Sequence, residues 1–181
     1  MTDAPAPAAA VPSTSAVPAD FVYADVPNRA IAYIIDAIIV FVGVVIMGSI
    51  LGIIGLDVTS YLGAIILGVV GLAVSAGYFI YTWTRMRATF GMKALSMQVG
   101  NAVDGATLTQ DQAIRRWLAI SAPSILAQAL QPIPLIGFVL ALASLAWFIF
   151  LVYTTAKSPT KQGWHDVFAN TMVVKAAKRI G

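Results

Sequence analysis

The stretch from Asn28 to Ile46, NRAIAYIIDAIIVFVGVVI, decides how this chain is read. It opens an apolar run from Ala30 to Ile54 broken only by Asp36, long enough to cross a hydrocarbon core of about 30 Å with some tilt. Arg29 and Asp36 stand seven positions apart, so at 100° per residue they return to nearly one helical face, about 10 Å apart along the axis. Arg29 can keep its head in interfacial water. An ionised carboxylate two turns further in costs about 3 kcal/mol or more in hydrocarbon, so Asp36 must point toward protein.

Composition points the same way. Of 181 residues, 59% are hydrophobic and only 10% charged, and the mean hydropathy of +0.85 lies outside the range of ordinary soluble domains. Spans of about 20 residues each leave room for one domain. The absence of cysteine excludes disulfides, thiolate catalysis and cysteine-based metal sites. A net charge of +3 without basic patches interleaved with aromatics gives no reason to expect nucleic acid as a partner.

Residues 1–25, beginning MTDAPAPAAAVPSTSAVPAD, are rich in Ala, Pro and Ser, lack a basic start and an apolar core, and read as a disordered tail rather than a secretory signal. A domain is expected over 26–175 with spans at about 30–54, 60–84, 113–131 and 135–154, and a basic end at 176–181. The second span closes on YFIYTW, an aromatic cluster suited to the headgroup boundary. Between spans two and three lies a structured polar loop with a strand-like piece at Leu95 to Val99 and a turn at Asp104-Gly105. Thr109 followed by Gln112 has the spacing of a capping box and starts the third helix. A second short strand is expected at Thr171 to Val174, so loop and tail are expected to form a β-hairpin or small sheet.

The third helix is ambiguous, because from Trp117 to Gln131 its apolar part reaches only about 22 Å. An interfacial or re-entrant helix is the competing reading. If it crosses, all eleven Lys and Arg lie on one side of the membrane and the connecting loops GLDVTS and QPIP carry none, as the positive-inside bias requires. The expectation is therefore an all-α membrane protein, a four-helix transmembrane bundle in the inner membrane with both termini cytoplasmic.

Asp36 is expected either to be a neutral acid or to pair with a cation, Arg115 and Arg116 on the third helix being the candidate partners. It is read either as a staple between helices or as a proton or cation acceptor, with Arg29 tuning it. Ser121, Ser124 and Gln128 recur at helical spacing and could face Asp36, though polar residues also simply pack membrane helices. The small-residue pairs Gly48/Gly52, Ala64/Gly68 and Gly71/Ser75 are packing signals. His165 is the only histidine and stands beside Asp166. With no nucleophile indicated and too few ligands for a metal, enzyme and metalloprotein readings are disfavoured, and no cofactor is expected. GWHD is read as a cap where the tail folds back on the cytoplasmic ends of the spans.

These residues resemble the RDD family of small bacterial membrane proteins, named for an Arg and two adjacent Asp in its first span. Arg29 and Asp36 match, and Ala37 replaces the second Asp. Thr89, Gly91 and Lys93 in TFGMKALSMQV, the stretches VDGATL and AIRRWL with Arg115, and Gln162, Gly163, His165 and Asp166 in KQGWHDVFANTMVV continue the resemblance from about 26 to 175. For activity it implies a transport role, including cation/proton exchange, proposed for some members. Ala37 rules out any mechanism that needs two adjacent carboxylates.

Two readings follow. In the first, the chain is a small carrier with Asp36 as acceptor and the polar stripe completing a path at an interface with a second copy or another membrane subunit. In the second, it is a non-transporting adaptor or accessory subunit whose Arg/Asp pair is structural and whose basic face meets a partner or anionic lipid.

Overall fold

The computed structural model of the chain describes residues 22–129 and 134–176. Three stretches are long and apolar enough to cross a membrane: Val26–Ile53, Tyr61–Met86 and Leu135–Lys157. The first is helix α1, Val26–Ile53, entered through Asp25 with a proline in its first turn, where the missing N–H costs nothing. The second joins α2, Tyr61–Tyr81, to a π-helical turn at Thr82–Met86. Ser60 caps α2 by accepting from the Gly63 N–H at 3.1 Å, and Gly63 is required there because a Cβ would fall 1.9 Å from the Asp57 carbonyl oxygen.

A head of short elements follows. It contains α3, Phe90–Ala94, capped by Thr89, and β1, Met97–Asn101. Helix α4, Gln110–Ala129, starts at the expected capping box: Thr109 Oγ1 accepts from the Gln112 N–H at 3.2 Å, and Gln112 Oε1 from the Thr109 N–H at 3.1 Å. Helix α5 is Pro134–Lys157, followed by α6, Trp164–Phe168, and β2, Thr171–Lys175. The first three residues of QPIP, 131–133, lie outside the described residues, and its last, Pro134, opens α5.

Helix α4 stands apart from the three apolar stretches. It is a full helix packed between α2 and α5, but Asp111, Arg115 and Arg116 in its first turns and Pro123 within it leave it outside the three apolar stretches. Pro123 has no N–H to give the carbonyl four residues back, at Ala119. That carbonyl is instead met by the indole N–H of Trp147 at 2.9 Å, which ties α5 to α4 at the proline. The indole N–H of Trp117 reaches Ser75 on α2 at 3.1 Å.

The strands form an antiparallel pair, with Val99 opposite Val173, and not a hairpin, since α4, α5 and α6 lie between them in sequence. β1 begins two residues later than expected because α3 ends at Ala94 and Ser96 takes a positive φ of 54° at the joint. Val22 to Asp25, read from sequence as the end of the tail, run along the other edge of β2: the Ala24 N–H donates to Val173 at 3.1 Å, the Lys175 N–H to Val22 at 2.8 Å, and Lys175 pairs with Asp25. The buried apolar cluster of Ala24, Ala32, Trp83, Met97, Val99, Leu108, Ala113 and Val173 sits in this head and its junction with the helices. The long apolar helices keep most of their surface uncovered, as spans solvated by lipid do.

Candidate functional site

Arg29 and Asp36 share a stripe of α1 but serve two different anchors. Asp36 is 2% exposed. Its Oδ1 accepts from the Tyr78 hydroxyl at 2.6 Å and the Gly91 N–H at 2.8 Å, and its Oδ2 from the Thr89 hydroxyl at 2.5 Å. Three donors thus take the place of water around a carboxyl group two turns inside the helix. Thr89 performs a second task, since the same Oγ1 accepts from the Met92 N–H at 3.1 Å and caps α3. Gly91 must be glycine: a Cβ there would lie 2.2 Å from the Ala32 carbonyl oxygen, so α3 presses on the backbone of α1.

Arg29, two turns nearer the head surface, pairs with Asp166, which is fully buried. Arg29 Nη1 lies 2.8 Å from Asp166 Oδ2, while its Nε and Nη2 donate to the carbonyls of Ala24 and Val173 at 3.2 and 3.1 Å. Arg116 binds the other carboxylate oxygen of Asp166 and donates to the Thr171 hydroxyl at 2.6 Å, with its guanidinium 5.2 Å from the centre of the Trp83 ring. The Gly163 N–H donates to Asp166 Oδ2 at 3.0 Å, and the Gln162 amide donates to the Thr171 carbonyl at 2.9 Å. Gly163 also leaves no room for a side chain, because a Cβ would meet Thr155 Oγ1 at 2.2 Å. One aspartate therefore fastens α1, α4 and α6 to β2.

The candidate partners of Asp36 inferred from sequence go elsewhere. Arg116 and Arg29 converge on Asp166, and Arg115 makes an exposed pair with Asp111 at 2.9 Å, one turn back on its own helix. Arg115 and Arg116 are 100° apart, so only one can face inward. The Asp111–Arg115 spacing is the signal that marks the outer face. Ser121, Ser124 and Gln128 make no hydrogen bond to Asp36: Ser124 and Gln128 are exposed, and the Gln128 amide returns to the Ser124 carbonyl at 3.3 Å. In the sequence Tyr78 reads only as a member of the interfacial aromatic cluster, and Thr89 and Gly91 only as members of their motif.

A cavity of about 90 Å³ lies between the two anchors, with Asp36, Arg29, Arg116 and His165 in its wall among Phe79, Trp83 and other apolar side chains. Tyr33 and Phe148, ring centres 5.3 Å apart, border both this cavity and an outer groove between α1 and α5, into which Ala37 faces. The described residues contain no group of three or more His, Cys or Asp side chains placed to hold a metal.

Burial would raise the Asp166 acid, but the charges of Arg116 and Arg29 outweigh it and hold it far below the usual carboxylate range. Burial pushes His165 down to about 4, against the pull of Asp166 and with help from the two arginines. The unfolded chain takes up a proton at His165 near 6.5 and the folded one only near 4, so acidification across that window favours unfolding by about 3 kcal/mol in full. Below it, the Asp166 contribution, present above about 3.9, is lost in the same direction. The melting temperature in detergent is expected to fall steadily from pH 7 to pH 4.5 and to fall less in His165→Asn; a flat or rising profile would contradict this.

The family model of the RDD family matches residues 23–170. No curated protein and no solved structure matches the chain. The matched range begins in the segment that runs beside β2, takes in Arg29, Asp36 and Asp166, and ends between α6 and β2; the chain belongs to the RDD family.

Proposed function

We propose that this chain is a non-transporting membrane adaptor or accessory subunit, in which α1 holds a small cytoplasmic head at a set position on the bilayer. The observation that carries this reading is the hydrogen bonding of Asp36: both oxygens are occupied by Tyr78, Thr89 and Gly91, and Arg29 is engaged with Asp166. Both charged residues of the first helix thus act as fasteners. In this reading α4 is the fourth span of a four-helix bundle, the protein is multi-pass in the bacterial inner membrane, and both termini are cytoplasmic. The exposed Arg85, Lys93 and Lys157 meet anionic headgroups, each worth about 1 kcal/mol near the surface, and a second copy or another membrane subunit completes the assembly. The chain is not an enzyme.

The carrier reading is favoured by one observation, the cavity walled by Asp36, Arg29, Arg116 and His165. Purified protein in liposomes holding a pH dye separates the two. The adaptor reading expects no cation-driven pH change from the native chain or from Asp36→Asn, and lower detergent stability in the variant. Flux in the native chain that Asp36→Asn abolishes would establish the carrier.

A further inference from the structure

Helix α6 is only five residues long, but at 100° per residue its side chains divide cleanly. His165 and Asp166 face the buried charge cluster, while Trp164, Val167 and Phe168 share the opposite arc. These three are 40%, 65% and 51% exposed, a high apolar exposure for a segment that sequence alone reads as a polar tail. The Trp164 ring meets Trp147 of α5 edge-on at 5.2 Å and stacks on Phe168 at 5.2 Å, with 12° between the planes. Its backbone N–H donates to Thr154 Oγ1 at 3.1 Å, which fixes α6 at the last turn of α5. The Trp147 ring lies 5.4 Å from that of Phe150, so the arc adjoins at Phe150 the uncovered apolar surface of α5 to which Ile149 and Tyr153 also belong. Lys157, exposed at the end of α5, lies 5.8 Å from the Tyr153 ring, and Lys161 sits in the turn before α6, so cations flank the arc.

We propose that α6 is an interfacial membrane anchor, with Trp164, Val167 and Phe168 embedded at the headgroup–acyl boundary of the cytoplasmic leaflet. The occupant is lipid, because the arc is continuous with a surface of α5 that lipid solvates, and because the aromatic and cationic residues follow the order found at that boundary. The same short helix carries Asp166, so the helix that touches lipid also fastens Arg29 and Arg116. The proposal rests on α5 crossing the bilayer and holds whether or not the chain moves ions.

The chain has no cysteine, so single nitroxide labels can be placed at Val167→Cys, at Leu142→Cys in the middle of α5, and at Val103→Cys in the loop after β1, all exposed positions. In vesicles of phosphatidylethanolamine and phosphatidylglycerol, collision with oxygen and with a water-soluble nickel chelate reports depth. The label at 167 is expected between the other two, with several-fold less nickel contact than at 103. Nickel contact at 167 equal to that at 103, with the label at 142 in hydrocarbon, overturns the proposal and leaves the span intact; aqueous labels at both 142 and 167 overturn both. Strong dipolar broadening between labels at 167 would place a second copy on the arc and also overturn it.

Discussion

Replacing Asp166 by Asn is expected to destabilise the protein by about 3–5 kcal/mol, because two buried guanidinium groups would lose the one carboxylate that compensates them. The loss is larger than that of any single hydrogen bond in the head, since α1, α4, α6 and β2 all meet at this residue. The exposed Arg115–Asp111 pair supplies the contrast. Arg115→Met removes an ion pair between two solvated side chains and is expected to change stability by about 0.5 kcal/mol or less. Thermal melting of the two variants in one detergent, followed by tryptophan fluorescence, measures both; equal effects would mean that burial of the cluster does not govern its worth.

Gly91→Ala is expected to cost about 1–3 kcal/mol by overpacking. The added methyl must displace the Ala32 carbonyl of α1, and moving α3 away also breaks the Gly91 N–H bond to Asp36. Gly77→Ala is the control, since a Cβ there meets nothing within 4 Å. It is expected to be neutral or to stabilise α2 by up to about 1 kcal/mol, the helix-propensity gain of alanine over glycine. Detergent melts that rank the two variants the other way would remove the close α1–α3 contact as the reason for this glycine.

The three stretches long and apolar enough to cross a membrane were legible because each is one long apolar run in the sequence, and the start of α4 because capping chemistry is local: Thr109 and Gln112 are three residues apart. The inward position of Asp36 was legible too, from the cost of a charge in hydrocarbon. What was not legible was pairing across the chain. Arg29 and Asp36 lie on one stripe, but about 10 Å along the axis is enough for two different neighbours, and nothing local says which of eight aspartates meets Arg29. The partners of Asp36 escaped for the same reason. Thr89 reads only as part of a motif and Tyr78 as part of an interfacial aromatic cluster, and only the packing of α3 on α1 shows that each hydrogen-bonds to the acid. The run WHDVF is too short for its period to announce a two-faced helix, so the apolar arc of α6 appears only once Asp166 is seen to point inward.

The central claim is that Arg29 and Asp36 are two separate fasteners and not a coupled pair. A double-mutant cycle on detergent stability with Arg29→Met, Asp166→Asn and Asp36→Asn measures it most directly. The Arg29–Asp166 cycle is expected to give a coupling of about 2 kcal/mol, and the Arg29–Asp36 cycle one within about 0.5 kcal/mol of zero. A strong coupling between Arg29 and Asp36, with little between Arg29 and Asp166, would contradict it.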